Sequence, residues 1–89
     1  MLRELRTFIA VVRHGTFARA GTQIGLTQSA VSAQIQRLEG ELGFALFDRT
    51  SRSASLNAAG KRIVDVAQEV LAVYARLAAQ DAASAAPVA

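Results

Sequence analysis

The stretch TQSAVSAQIQRLEGELG, residues 27–43, predicts a helix with two different faces. Apolar side chains recur at helical spacing along one face, at Val31, Ile35, Leu38 and Leu42. The opposite side, near the start of the helix, carries short or uncharged side chains at Gln28, Ser29, Ser32, Ala33 and Gln36. A solvated helix face more often carries pairs of opposite charges, so this composition raises the question of what the face meets.

Two shorter helices are predicted before this one. Leu5, Phe8, Ile9 and Val12 recur at i, i+3, i+4 and i+7, which predicts a first helix over about residues 2–13. Gly15 suits the left-handed position that ends it, and Thr16 is a good N-cap for a short second helix. Gly25 ends the second helix and Thr27 caps the third. Two helices joined by a few residues that include Gly are typical of a helix-turn-helix.

The uncharged face of the third helix suits contacts with DNA base edges. Gln can pair with adenine, Ser can bond to either base type, and Ala can touch the thymine methyl group. Such contacts come from the N-terminal turns of a recognition helix. We therefore predict that Gln28, Ser29, Ser32, Ala33 and Gln36 face the bases. An ordinary solvated helix also tolerates Gln and Ser, and this alternative stays open for the helix taken alone.

The residues after the third helix predict a small wing. The apolar run at residues 44–47 is too short for a helix, and a second extended segment follows around residues 54–56. These two segments predict a two-stranded hairpin with Arg49 and Arg52 in or near its tip. A wing beside a helix-turn-helix places cations over the flanking phosphates or minor groove. The alternative, an ordinary charged turn, is less favoured beside a candidate recognition helix.

Charge is distributed unevenly along the chain. Residues 1–62 contain nine basic and four acidic side chains, a difference of +5, whereas residues 63–89 contain one basic and three acidic ones, a difference of −2. Eight of the nine cations are arginines, whose planar donor fork suits phosphates and guanine edges. The first two-thirds of the chain is therefore the part that would bind an anionic partner, although a basic surface without a partner is also common.

Composition argues against several other classes of function. Eighty-nine residues allow one small domain, and the absence of Cys excludes disulfides and thiolate metal sites. His14 is the single His, and the carboxylates are scattered, so no catalytic constellation, metal site or cofactor site is expected. Charges interrupt the early apolar runs of MLRELRTF, so we expect a soluble cytoplasmic protein without a signal peptide or membrane span.

A long last helix is predicted over residues 58–81. Its apolar side chains form more than one stripe, which indicates a second surface beyond the chain's own core. We expect a homodimer through this helix, with contacts from Ile63, Ala67, Val70, Leu71, Tyr74 and Leu77. The alternative is a single wide stripe that folds back on its own core. Residues 82–89 lack a sustained pattern and are expected to form a frayed tail or linker stub.

Three segments together resemble the N-terminal DNA-binding region of LysR-type transcriptional regulators: LRTFIAVVRHGTFARAG, LTQSAVSAQIQRLEGELGFALFDRT and LNAAG. The resemblance implies a winged helix-turn-helix over residues 1–57, a dimerising linker helix, and double-stranded DNA with an inverted repeat as the target. It also implies phosphate contacts at Thr27 and Arg37 and wing contacts at Arg49 and Arg52. LysR-type regulators continue into a larger effector-binding domain, so a small-molecule effector is expected only if such a domain exists.

Three positions depart from the pattern of this family. Ala33 stands where the family commonly has Arg or another polar contact residue, so a contact to base or phosphate is expected to be lost. Gly21 replaces a usual Ala, which is expected to destabilise the helix by about 0.5–1 kcal/mol unless packing compensates. Asn57 replaces a frequent Thr before the last helix and is an equally good N-cap.

The sequence therefore predicts a mainly α protein that binds specific DNA as a homodimer to regulate transcription. Two alternatives stay open: a purely structural dimerisation module, and a DNA-binding domain of another winged-helix family such as the molybdate-responsive regulators. The first leaves the uncharged face and the wing arginines unexplained.

Overall fold

The chain folds into four helices, three short ones and one long one. The computed structural model describes residues 1–48 and 53–84, with side chains described through residue 80. The helices are α1 (Leu2–His14), α2 (Phe17–Ile24), α3 (Gln28–Leu42) and α4 (Ala58–Ser84). The first three match the predicted helices to within about one residue. The fourth begins where predicted and continues through residues 82–84, which the sequence analysis had assigned to a frayed tail.

The predicted caps set the beginnings and ends of the short helices. The Thr16 hydroxyl accepts a hydrogen bond from the Arg19 N–H at 3.0 Å. The Thr27 hydroxyl accepts one from the Ala30 N–H at 3.1 Å, and both threonines are extended, as an N-cap requires. Gly25 ends α2 at φ 75°, a left-handed conformation that disfavours any residue with a Cβ. The turn between α2 and α3 is therefore encoded locally.

Gly21 allows the turn between α2 and α3 to close tightly. A Cβ built on Gly21 would lie 2.5 Å from the Leu26 carbonyl oxygen and 3.3 Å from a Val31 methyl group. The Leu26 N–H donates to the Gly21 carbonyl at 2.8 Å, which holds the two segments together. The close packing around Gly21 offsets its low helix propensity.

One hydrophobic core joins the short helices to the base of the wing. Its fully buried side chains include Phe8, Val11, Val31, Leu38 and Leu46. The Phe47 ring packs edge-on against the rings of Phe8 and Phe17, with centroids 5.6 and 5.5 Å apart. The wing is thereby fixed against α1 and α2.

The predicted two-stranded hairpin is shorter in the structure. Within residues 1–48 and 53–84, pairing is limited to one antiparallel bridge between Phe47 and Leu56. Two backbone bonds flank it, from the Asp48 N–H to the Ser55 carbonyl at 2.7 Å and from the Asn57 N–H to the Leu46 carbonyl at 3.0 Å.

The second extended segment of the wing turns towards the end of α1. The Ala54 N–H donates to the Gly15 carbonyl at 3.2 Å, so this donor is not available to a longer ladder with the first segment. The two predicted segments of the wing are therefore paired in the structure, over a shorter length than a regular ladder. Arg49 and Arg52, predicted at its tip, lie outside the described residues.

Asn57 connects the long helix to the wing. Its Oδ1 accepts a hydrogen bond from the Gly60 N–H at 2.7 Å, which confirms the predicted N-cap. Its Nδ2 also donates to the Ala45 carbonyl at 2.8 Å. Beyond this junction α4 packs on α1 and then projects outwards. The start of α4 is thus held in a defined position relative to the helix-turn-helix.

Candidate nucleic-acid interface

The uncharged side of α3 faces solvent, as the sequence predicts. Gln28, Ser29, Ala33 and Gln36 are exposed and Ser32 is half-buried. The opposite side of the helix lies in the core, with Val31, Ile35 and Leu38 at most 2% exposed. This arrangement follows from the helical period, since residues three or four positions apart share a side. The five predicted base-facing residues therefore form one continuous surface, called here the α3 outer face.

A groove of about 340 Å³ runs beside the α3 outer face. Its walls are the start of α2, the side of α3 and the base of the wing. Three of the predicted base-facing residues line it, namely Gln28, Ser32 and Gln36. Ser29 and Ala33 lie further round the helix. The structure thus places the predicted residues at the rim of a concave surface that two other elements bound.

Thr27 stands at the N-terminal end of the α3 outer face. Its hydroxyl oxygen accepts the capping hydrogen bond from Ala30, and its side chain is exposed. A hydroxyl group retains one O–H donor when its oxygen accepts. That O–H, together with the N–H groups of the first turn of α3, is suited to an anion.

Arg37 extends from the middle of α3 towards the start of α1. Its Nη1 lies 3.6 Å from Oε1 of Glu4, a carboxylate that is only 5% exposed. The Met1 ammonium lies 3.1 Å from the other oxygen of Glu4. The adjacent Met1 ammonium and a backbone N–H lower the pKa of Glu4, with a further contribution from Arg37, while burial opposes the shift. No pattern in the sequence predicts this contact, because a single sequence does not indicate which distant charges meet.

Two further polar side chains of the helix-turn-helix have structural partners. The Leu46 N–H donates to Oε2 of buried Glu39 at 2.7 Å, which ties the end of α3 to the wing. The buried Thr7 hydroxyl on α1 donates to the Gln34 side-chain carbonyl on α3. These bonds fix the angle at which α3 presents its outer face.

The predicted dimer contacts separate into two groups. The side chains of Ala67, Ile63 and Leu71 pack against the chain's own core, and Ala67 is only 1% exposed. Ile63 and Leu71 stay partly exposed, and the contact of these three residues with a second subunit stays a prediction. The remaining three, Val70, Tyr74 and Leu77, are exposed.

Two additional valines extend the exposed group on α4. Val66 and Val73 are each about half exposed and lie at helical spacing from Val70 and Leu77. Together Val66, Val70, Val73, Tyr74 and Leu77 form an apolar strip, called here the α4 outer face. The helical period alone does not separate this strip from the covered side, because Ala67 also lies three residues from Val70 and seven from Tyr74.

Tyr74 also contacts the helix-turn-helix. The guanidinium carbon of Arg6, on α1, lies 5.7 Å from the centroid of the Tyr74 ring. An arginine over an aromatic face gains about 0.5–1 kcal/mol at an exposed site. This contact links the projecting part of α4 to α1.

The excess positive charge of the first 62 residues lies at the surface. The described cations of this segment are exposed, at Arg3, Arg6, Arg13, Arg19, Arg37, Lys61 and Arg62. Two of its four carboxylates, Glu4 and Glu39, are buried. The exposed charge is therefore more positive than the composition alone indicates, which favours an anionic partner.

The described part of the chain contains no cluster of His, Cys, Asp or Glu with the geometry of a metal site. Among the same residues, no helix combines the length and the low polarity that crossing a bilayer requires.

These features define a winged helix-turn-helix followed by a long linker helix. Residues 2–61 match the family described as bacterial regulatory helix-turn-helix protein, lysR family, and the chain belongs to it. A related protein of a Pseudomonas species, an SDS degradation transcriptional activation protein, is 46% identical over 70 residues, which is 79% of this chain and 23% of the relative. The chain spans about a fifth of the length of the first curated relatives that it matches.

Solved structures of similar proteins include complexes with DNA. The chain is 32% identical to that in a CbnR_DBD–DNA complex, with a TM-score of 0.88 and coverage of 97% of this chain and 99% of the other. It is 33% identical to the chain in a BenM_DBD/benA site 1 DNA complex, with a TM-score of 0.88 and coverage of 96% and 99%. Membership of the LysR family decides against the alternative of a different winged-helix family.

Proposed function

We propose that this chain binds double-stranded DNA sequence-specifically, as a homodimer, in the regulation of transcription. The observation that carries the proposal is the α3 outer face, an exposed and uncharged polar surface at the N-terminal turns of a helix within a basic domain. The relatives are named as transcriptional regulators, and the DNA complexes contain similar folds. Both findings support the same assignment.

The residues of the interface have distinct roles in this proposal. Gln28 and Ser32, with Ser29, Ala33 and Gln36, read base edges in the major groove, where amide and hydroxyl groups distinguish base pairs. Thr27, Arg37, Arg49 and Arg52 contact phosphates and thereby hold α3 in register. The absence of a long cation among the five base-facing residues allows the helix to approach closely.

The homodimer forms through the α4 outer face. A strip of five apolar residues on a projecting helix is unfavourable in water, and pairing with the same strip of a second copy removes it from solvent. A twofold axis through the paired helices sets two α3 helices against two half-sites, so the target is an inverted repeat. DNA binding in a bacterial regulator also supports a cytoplasmic location, and an effector would bind only to a further domain.

The alternative is a dimerisation module without a DNA target, which the α4 outer face also supports. Two measurements distinguish the DNA-binding homodimer from the dimerisation module. A randomised duplex pool is selected for binding and the bound fraction is sequenced, and fluorescence anisotropy then measures affinity across a salt series. Enrichment of an inverted repeat and a steep loss of affinity with salt are expected for the DNA-binding homodimer. A folded, dimeric protein that binds no duplex at low salt would leave dimerisation as the function.

A further inference from the structure

We infer that Glu4 is a positioning residue for DNA binding, which holds Arg37 at the edge of the α3 outer face so that its guanidinium meets a phosphate. The inference rests on the proposed function and deepens it. It assigns a role in recognition to a buried carboxylate on α1, the helix that does not itself carry the α3 outer face.

Arg37 is the single cation in the sequence of α3. It follows Ala33 by one helical turn, and residues four apart lie on the same side of a helix. Its side chain is 62% exposed, so most of the guanidinium faces solvent. A phosphate that flanks the bases read by Ser29 and Ala33 would therefore meet Arg37, the one cation that α3 offers.

The contact with Glu4 restricts the conformations of Arg37 and leaves donors for a second partner. The ion pair joins one terminal nitrogen, Nη1, to Oε1 of Glu4 at 3.6 Å. A guanidinium has five N–H donors in a planar fork, so those directed away from Glu4 can bind phosphate oxygens. An exposed arginine loses side-chain entropy when it orders on DNA. An arginine that is already restrained loses less, so binding is tighter.

Glu4 is suited to this role because burial and a second ion pair confine its carboxylate. Its carboxylate is 5% exposed at the start of α1 and also pairs with the Met1 ammonium. A fixed anion beside a mobile cation defines where the cation rests. The same anion repels DNA phosphates, so Glu4 raises affinity only through its effect on other groups, here Arg37.

A double-mutant cycle on DNA binding tests the inference. Wild type, Glu4→Gln, Arg37→Ala and the double variant are titrated into the duplex recovered by selection and into a random-sequence duplex, at four salt concentrations. Arg37→Ala is expected to make the slope of log K against log salt shallower by about one unit. Glu4→Gln is expected to weaken binding about threefold to tenfold when Arg37 is present. In the Arg37→Ala background, Glu4→Gln should leave the affinity for DNA unchanged or slightly higher.

The outcomes separate the inference from the proposed function. Equal losses from Glu4→Gln in both backgrounds would assign Glu4 a structural role alone and overturn the inference, as would an unchanged salt slope for Arg37→Ala. Either result leaves specific binding by wild type, and hence the proposed function, intact. No binding by wild type to either duplex would overturn both.

A measurement on the wild-type protein covers the case in which Glu4→Gln does not fold. The NMR signal of the Arg37 Nε–Hε group is followed as the selected duplex is added. A restrained guanidinium that contacts phosphate should show a sharp signal before addition and a clear shift on binding. A signal that is averaged by free rotation before addition, or that stays in place while the Gln28 side-chain signals shift, would overturn the inference.

Discussion

The Leu46 backbone N–H and the buried carboxylate of Glu39 are 2.7 Å apart, and this hydrogen bond joins the end of α3 to the base of the wing. It fixes two elements that must contact the same DNA duplex in the proposed function. Leu46 is fully buried, so its N–H has no access to water if the carboxylate is removed. The stability of the domain and the geometry of its interface therefore depend on the same contact.

Replacing Glu39 with Ala is expected to destabilise the fold. The change leaves a buried N–H without an acceptor, which costs about 1–3 kcal/mol. Urea unfolding followed by circular dichroism measures the loss. Glu41→Ala is the matched control, because Glu41 lies two residues further along the same helix and is exposed. This variant should change the free energy of unfolding by at most about 0.5 kcal/mol. Equal stability of the two variants would contradict the assignment.

Replacing Gln28 or Ser32 with Ala is expected to reduce discrimination between the selected duplex and random DNA. The loss should be about 1–3 kcal/mol where a bidentate contact disappears, because these side chains face the bases. Anisotropy titrations with both duplexes measure the ratio of affinities. Gln68→Ala, an exposed glutamine on α4, is the control. If the ratio is the same for all three variants, Gln28 and Ser32 do not read the sequence.

Replacing Arg49 or Arg52 with Ala is expected to weaken binding to selected and random duplexes alike. Both arginines come from the sequence prediction of the wing tip, and a lost phosphate contact makes the salt slope shallower by about one unit. Titrations at several salt concentrations measure this slope. Arg76→Ala, on the exposed part of α4, is the control and should keep the slope of wild type. Unchanged affinities at every salt concentration would show that the wing is not at the DNA.

Introducing a charge on the α4 outer face is expected to dissociate the homodimer. Val70→Asp places a carboxylate in the middle of the apolar strip, where pairing would bury it without a partner. Sedimentation equilibrium should show at least a tenfold weaker dimer, a change of about 1.4 kcal/mol or more. Gln68→Asp adds the same charge on another side of α4 and should leave the dimer intact. A dimer that survives Val70→Asp places the subunit contact elsewhere.

The contribution of Glu4 to stability is expected to depend on pH. The Met1 ammonium and the backbone hydrogen bond lower its pKa below the ordinary value of 4.5. A lowered pKa in the folded state means that the stabilisation is present above the unfolded pKa and is lost as pH falls through the folded pKa. The free energy of unfolding of wild type should therefore exceed that of Glu4→Gln at pH 6, and the difference should shrink from about pH 4.5 downwards.

The matched control for this titration is Glu69→Gln, since Glu69 is exposed on α4. Denaturant unfolding at pH 6, 5, 4 and 3 provides the comparison for both variants. A difference between wild type and Glu4→Gln that is constant across this range would show that the charge of Glu4 does not contribute.

Local sequence signals were sufficient to predict the short helices and the side of α3 that faces solvent. Thr16 and Thr27 cap their helices, and Gly25 takes the left-handed conformation at the turn, because these preferences depend on neighbouring backbone atoms alone. The helical period then assigns Val31 to the core and Gln28 to solvent. Both assignments follow from the chain without knowledge of its tertiary contacts.

Contacts between residues that are distant in sequence could not be predicted from these local signals. Ala67 fits an apolar stripe as well as Val70 does, and only the packing of α1 against α4 decides which of the two is covered. The wing is another case, since its second segment also bonds to the end of α1, from the Ala54 N–H to the Gly15 carbonyl. Each depends on where two separate segments meet.

The sequence by itself determined the boundaries of the three short helices, the basic character of the first two-thirds, the resemblance to LysR-type regulators and the side of α3 that faces outwards. These features depend on local backbone preferences, on composition and on the spacing of apolar residues along the chain. The tertiary structure alone decided that Glu4 meets Arg37, that Arg6 covers Tyr74, and that Val66 and Val73 belong to the exposed strip. Such contacts join residues far apart in sequence, and only the packing of the helices against one another brings them together.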